Sequence, residues 1–300
     1  MPEHSKIIGR YAPSPTGELH LGNLRTAVLA WLHIRLQGGQ FLLRIEDIDL
    51  PRNVVGSADQ ILCDLEWLGL DWDGEIVFQS HRQELYEQAL RDLKELALVY
   101  PCFCSRRDIR SAASAPQSTE LSQSSTNNQA ENIYPGTCRN LSSLQIDQQA
   151  KQKTPALRLR VNNALANQCG DFIVKRSDQL FAYQLAVVVD DLDQGVNQVV
   201  RGSDLADSTA RQQYLAKLLA PNRPLINYYH APLLMDDEGK RMSKRDGSMS
   251  ISAWRTGPKT RPEDLVAQLL RSLGLSSEQS LSLKEALEQI SILELERNFA

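Results

Sequence analysis

Two strings of residues in this 300-residue chain have the types and spacing to handle a polyphosphate. The first is His20-Leu-Gly-Asn23, preceded by Arg10-Tyr-Ala-Pro-Ser-Pro-Thr-Gly17. An imidazole N–H can donate to phosphate oxygens. Pro13 and Pro15 stiffen the loop, and Gly17 and Gly22 let the backbone come close to a ring or a phosphate. The second string, Gly239-Lys-Arg-Met-Ser-Lys-Arg-Asp-Gly247, lies more than two hundred residues downstream. It is basic, rich in small residues and bounded by glycines, so it can close over phosphates and open again. Taken singly, the first also reads as a capped helix with an incidental histidine, and the second as a solvated basic turn. A third group suits a metal: Cys102-x-Cys104 and Tyr134-x3-Cys138 offer three thiolates and a phenol. Three thiolates are a zinc donor set, and a tyrosinate can supply the fourth ligand. The alternative is a metal-free cluster of reduced thiols.

These groups need elements to hold them. Lys6–Tyr11 reads as a short buried strand, followed by the Pro/Ser/Gly loop. Leu21, Leu24, Val28, Leu29, Leu32 and Leu36 then recur at helical spacing. A strand–loop–helix start directs backbone N–H groups and the positive end of a helix dipole at the loop, which makes an anion site. Phe41–Ile45 reads as a second strand ending at Glu46-Asp47-Ile48-Asp49, and Ala58–Leu68 as an apolar helical stretch. Gln83–Leu98 reads as an amphipathic helix burying Leu85, Ala89, Leu90, Leu93 and Leu96. This alternation predicts a parallel sheet with helices on both sides, an α/β fold. The pattern breaks at Pro101–Cys104. Residues 111–132 are Ser, Ala, Gln, Asn and Thr with almost no apolar side chains, a composition that predicts a mobile loop. Ala156–Val161, Asp171–Lys175 and Leu180–Tyr183 read as strands, Gln184–Leu192 as a helix, and Val196–Arg201 as a strand ending in Arg-Gly. Two helical patterns follow, near Arg261–Leu273 and Ser282–Glu296. The expected organisation is a first half of a nucleotide-binding domain over 1–98, an inserted module over 99–180, the second half over 181–245 and a short helical C-terminal region over 246–300.

Composition narrows the class. Hydrophobic content of 42% and charged content of 23% are ordinary for a globular protein. With no signal peptide and no apolar run near 18 residues, a soluble cytoplasmic protein without membrane contact is expected. A net charge of −4 argues against coating nucleic acid by bulk charge, while leaving room for a local basic groove. Five cysteines are too few and too unevenly placed for a disulfide scaffold. Cys63 and Cys169 read as packing residues.

His20–Asn23 and Arg241-Met-Ser-Lys-Arg245, in this order, resemble the HIGH and KMSKS elements of class I aminoacyl-tRNA synthetases. The intervening IEDID, FAYQLAVVVDD and VVRGSD resemble the glutamyl branch of that family, and the resemblance covers roughly residues 6–250. It implies a Rossmann-like class I sheet carrying an inserted zinc-bearing module. It also implies ATP with Mg2+ and L-glutamate as substrates. His20 and Lys244 become the catalytic pair, Lys244 stabilising the phosphates. ATP would be held by His20, Gly22, Asn23, Arg241, Ser243 and Lys244. Arg241 stands where the motif's first lysine lies and Arg245 where its final serine lies; both remain suited to phosphate. Positions matching Arg10 and Arg201 grip the side-chain carboxylate of glutamate, the position matching Glu46 holds the α-ammonium, and those matching Ser14 and Tyr183 add hydrogen bonds. The other reading of Arg10 and Arg201 is structural pairing with Asp47, Asp49 or Asp204. Many bacterial glutamyl enzymes carry a similar Cys-x-Cys…Tyr-x3-Cys element, which implies one structural zinc on Cys102, Cys104, Tyr134 and Cys138; the spacer between Cys104 and Tyr134 is longer here.

Only 55 residues follow Arg245, too few for the helical anticodon-binding region of a discriminating glutamyl-tRNA synthetase. The resemblance is therefore to a truncated, monomeric paralogue of that enzyme. It implies activation of glutamate without tRNA and attachment to queuosine in the anticodon loop of tRNA(Asp). Two other readings stay open: transfer to a different acceptor such as the 3′ end of tRNA(Glu), and a non-enzymatic RNA-binding relic.

Overall fold

The computed structural model describes residues 6–105, 107–109, 133–234, 251–257 and 261–299. The expected loop 111–132 and the Arg241–Arg245 string lie outside them. Two compact units are present: one comprises Met1–Arg82, Asp191–Ala206 and Pro224–Ala300, the other Gln83–Asp190 and Asp207–Arg223.

The first unit is built on a parallel sheet. Its strands are β1 (Ile8–Tyr11), β2 (Gln40–Ile45), β3 (Val77–Phe78), β7 (Gln198–Gly202) and β8 (Asn227–Ala231), in the order β3-β2-β1-β7-β8. Every pair is parallel, with Arg10 opposite Leu42 and Arg201 opposite His230. The strand order reverses at β1, where the next neighbour is β7 rather than an earlier strand. Ligands in open α/β sheets bind outside the carboxyl ends at such a reversal. Helix α1 (Leu21–Arg35) connects β1 to β2 and is buried almost all round: Leu24, Val28, Leu29, Leu32 and Ile34 are at most 1% exposed. Each such side chain stabilises the fold by ~1.5–3 kcal/mol relative to exposure. Gly38, at φ 65, then turns the chain toward β2.

Helix α2 (Ser57–Trp67) buries Ile61, Asp64 and Leu65. Cys63 lies off that stripe and is exposed, so it is not the packing residue expected. The C-terminal pattern at 282–296 is two helices rather than one, Leu283–Gln289 and Ile292–Glu296. Ser282 and Ser291 each cap their own helix, with Glu285 and Glu294 closing the capping boxes.

In the second unit, β4 (Val99–Cys102), β5 (Ala156–Leu159) and β6 (Phe172–Lys175) form an antiparallel sheet in that order. Helix α3 (Gln83–Glu95) buries Tyr86, Ala89, Leu90 and Leu93. Leu85 and Leu96 are exposed, because the stripe starts one residue later than the leucine spacing suggests. Cys169 is buried as expected. The stretch 180–183 is not a strand: Phe181 makes a single bridge to Lys175, and Tyr183 already opens the helix Tyr183–Asp193.

Candidate active site

His20 is the N-cap of α1. Its Nδ1 accepts the Asn23 backbone N–H at 3.3 Å, and the Asn23 side-chain oxygen accepts the His20 N–H at 3.4 Å. A neutral imidazole that accepts at Nδ1 carries its proton at Nε2. The cap therefore fixes the tautomer that can donate to an anion at the helix N-terminus. The geometry thus shows the capping reading of this histidine, and it is compatible with the phosphate-donor one. Gly22 leaves room for the ring: an added Cβ would lie 3.0 Å from His20 Cε1 and 3.1 Å from Nδ1, so the imidazole would have to shift by a few tenths of an ångström. Gly17, at φ 122, occupies a conformation that favours glycine. Its N–H donates to the Ser57 hydroxyl, and that hydroxyl donates back to the Gly17 carbonyl. The Pro15 carbonyl accepts the Val54 N–H.

Arg10, in β1, is 5% exposed and points both Nε and Nη2 at Asp191, at 3.2 and 3.3 Å. Arg44, in β2, is fully buried and donates Nη1 to the same carboxylate at 2.9 Å and to Gln194 at 2.7 Å. Its Nη2 reaches Glu46 at 3.5 Å. Burial would raise the Asp191 pKa, but the charges of Arg10 and Arg44 and their hydrogen bonds outweigh it and hold the carboxyl below its usual range. Arg10 thus has a structural partner in Asp191, an acid outside the set Asp47, Asp49 and Asp204 named for that pairing. Asp47 instead fixes the loop after β2, accepting from the Ser80 N–H and hydroxyl.

Arg201, near the end of β7, is 3% exposed. Its Nε donates to His230 Nε2 at 3.4 Å, and its guanidinium carbon sits 4.5 Å from the centroid of the Tyr228 ring. Ser14 is exposed in the loop after β1. Glu46 follows β2 directly, and its N–H donates to the Pro13 carbonyl. Arg10, Glu46 and Arg201 therefore stand at or beside the carboxyl ends of β1, β2 and β7, neighbours in the sheet. Tyr183 stands in the first turn of its helix and is described with the second unit. Arg241, Ser243 and Lys244 lie outside the described residues. Arg44, Asp191, Gln194, Tyr228 and His230 escaped the sequence reading. Asp190-Asp191 in an apolar helix was the one available signal, since a paired acid inside such a run demands buried partners.

In the second unit, Cys102, Cys104 and Cys138 bring three sulphurs within 4.8 Å of one another and could hold a metal ion. Cys104 Sγ is 3.6 Å from Cys138 Sγ, and the Tyr134 hydroxyl is 3.5 Å from Cys102 Sγ and 3.8 Å from Cys104 Sγ. Tetrahedral zinc with sulphur at about 2.3 Å and oxygen at about 2.0 Å spaces its ligands about 3.5–3.8 Å apart. The Cys104–Cys138, Cys102–Tyr134 and Cys104–Tyr134 spacings match those values. Arg158 places its cation beside them, with Nε on Cys102 Sγ at 3.2 Å and the guanidinium 3.8 Å from the Tyr134 ring centroid. Burial raises the Cys102 pKa, but the Tyr134 and Arg158 hydrogen bonds outweigh it and lower the thiol overall. Burial and the Cys102 charge push Cys104 up to about 11.

The glutamate-tRNA synthetase of Elizabethkingia anophelis superposes with a TM-score of 0.74 at 23% identity, over 97% of this chain and 66% of that one. This chain thus spans slightly less than two thirds of that enzyme's length. The sequence model of the family described as tRNA synthetases class I (E and Q), catalytic domain, matches residues 6–300. A Nocardia farcinica protein named glutamyl-Q tRNA(Asp) synthetase is 46% identical over 279 residues, covering 89% of this chain and 85% of the relative. A Symbiobacterium thermophilum protein of the same name is 43% identical over 292 residues, covering 90% and 87%. The chain belongs to the class I tRNA synthetases of the E and Q family and is a ligase. No helix among the described residues is long and apolar enough to cross a membrane.

Proposed function

We propose that this enzyme adenylates L-glutamate with MgATP in the absence of tRNA and transfers the glutamyl group to queuosine in the anticodon loop of tRNA(Asp). The observation that carries the reading is the similarity, over most of both lengths, to proteins named for that activity. The chemistry at the strand ends supports it. Glutamate has one ammonium and two carboxylates, and its pocket needs one acid and at least two cations. Glu46 supplies the acid; Arg10 and Arg201 supply the cations, with Ser14 adding a hydrogen bond.

In the first step an oxygen of the α-carboxylate attacks the α-phosphorus of ATP. The new P–O bond forms as the bond to the β-phosphate oxygen breaks, and pyrophosphate leaves with its electron pair. The protein's work is positioning and charge neutralisation. His20 donates from Nε2 to the phosphates at the N-terminus of α1, and Lys244, with Arg241 and Ser243, meets the charge on the departing pyrophosphate. In the second step a hydroxyl of the queuosine ring attacks the adenylate carbonyl, AMP leaves, and the hydroxyl proton passes to solvent or phosphate. Residues 99–180 act as a module carried within the nucleotide-binding chain. Cys102, Cys104, Tyr134 and Cys138 would hold one zinc there, whose bound contribution is a cross-link between the end of β4 and residues 134–138.

The test has two parts. Glutamate-dependent ATP–pyrophosphate exchange without RNA is expected, and strict RNA dependence would refute the first half. Transfer is then measured on tRNA(Asp) with and without queuosine and on tRNA(Glu). Labelling of tRNA(Glu), or of tRNA(Asp) lacking queuosine, would overturn the acceptor while leaving adenylation intact.

A further inference from the structure

The edge strand β8 carries two side chains that meet Arg201 from the same face. Tyr228 and His230 stand two residues apart, so a strand's alternation puts them on one side of the sheet. In the β7–β8 register Arg201 is directly opposite His230. The Arg201 Nε–H points at His230 Nε2, 3.4 Å away, and the guanidinium lies over the Tyr228 ring at 4.5 Å.

We propose that His230 and Tyr228 are positioning residues that together aim the Arg201 guanidinium at the side-chain carboxylate of glutamate. This rests on the function proposed above. A guanidinium can grip a carboxylate through its Nε/Nη2 side or its Nη1/Nη2 end. With Nε directed to His230, the imidazole holds the Nε edge of the fork and sets its direction. The Tyr228 ring fixes the plane of the fork, because a cation prefers the face of an aromatic ring. The His230 nitrogen must keep its lone pair to accept. Burial, and then the Arg201 charge, lower the His230 pKa and so favour that neutral form.

The experiment uses the full chain in ATP–pyrophosphate exchange, with glutamate and ATP varied separately, and a thermal melt on each variant. His230→Leu removes the acceptor, and His230→Gln returns an amide oxygen near the Nε2 position. The expected result for His230→Leu is a glutamate KM raised about tenfold, the cost of one hydrogen bond to a charged group, with the ATP KM changed less than about twofold. His230→Gln should return to within about threefold of the wild type. Tyr228→Leu should raise the glutamate KM while Tyr228→Phe, which keeps the ring face, should not. That pair decides the matter if His230→Leu does not fold. The proposal is overturned if the leucine and conservative variants behave alike, or if glutamate and ATP KM rise together. Wild-type protein without glutamate-dependent exchange would remove the functional reading itself, whereas active wild type with unaffected variants would remove only the clamp.

Discussion

Asp191→Asn is the sharpest perturbation of the buried network at the strand ends. Asp191 is 1% exposed and takes two hydrogen bonds from Arg10 and one from Arg44. The asparagine keeps the shape but leaves one oxygen and turns an NH2 group toward a guanidinium. Arg44 retains Gln194 and Glu46, while Arg10 loses the carboxylate it meets with both Nε and Nη2. Removing one partner of a buried ion pair costs about 3–5 kcal/mol. At about 2 °C per kcal/mol, the low end for chains of this size, the melting temperature should fall by about 6–10 °C. The pH dependence has a definite sign. The folded pKa of Asp191 lies below its usual 3.8. Its contribution is therefore complete above that unfolded value and lost as pH falls through the lower, folded one. The gap between wild type and variant should stay constant from pH 8 to about pH 5 and narrow only below about pH 4. Thermal melts across that range, with exchange kinetics at pH 7.5, measure both effects. Glutamate KM should rise through the loss of Arg10 orientation, with a smaller change for ATP. A melting temperature within about 2 °C of wild type at neutral pH would refute the reasoning.

Two further substitutions separate stability from chemistry. Gly22→Ala should change the melting temperature little, because the gain of roughly 0.5–1 kcal/mol from alanine in a helix is offset by about 0.5–2 kcal/mol for a displaced cap. The same methyl group would crowd the His20 ring, 3.0 Å away, so adenylation kcat should fall at least about tenfold; an unchanged kcat would mean that the ring orientation is irrelevant. Cys104→Ser should abolish stoichiometric zinc in elemental analysis of purified protein, and wild type without zinc but fully active would dismiss the metal.

How much of this was legible in the sequence depends on the range of the interaction. The start of α1 and the ends of β1, β2 and β7 follow from short patterns, because capping, turn chemistry and β-branched runs act over a few residues. The face of α3 does not follow its leucines: Leu85 and Leu96 continue a leucine pattern, whereas the buried stripe runs through Tyr86. Residues 180–183 look like a strand by composition, yet the chain needs them to begin the helix at Tyr183. The break between Gln289 and Ile292 was readable, since Ser291 with Glu294 repeats the capping box of Ser282 with Glu285. The partner of Arg10 was not readable, because Asp191 lies 181 residues away and only strand order brings them together.

That non-local pairing also bears on specificity. On the proposed reading, Arg10, Arg44 and Arg201 face Asp191 and Glu46 around one substrate, so the five ionised side chains sum to a single positive charge. L-Glutamate, with two carboxylates and one ammonium, carries one negative charge and brings the sum to zero. Glutamine would leave the positive charge uncompensated among groups that are at most 5% exposed for Arg10, Arg44, Asp191 and Arg201, and would turn an amide NH2 toward a guanidinium donor. A buried site built for a charged partner rejects a neutral isostere strongly, because its own polar groups are left underpaired. On the same reading, Asp191 contributes to this discrimination by offsetting the charge of one of the two arginines it accepts from.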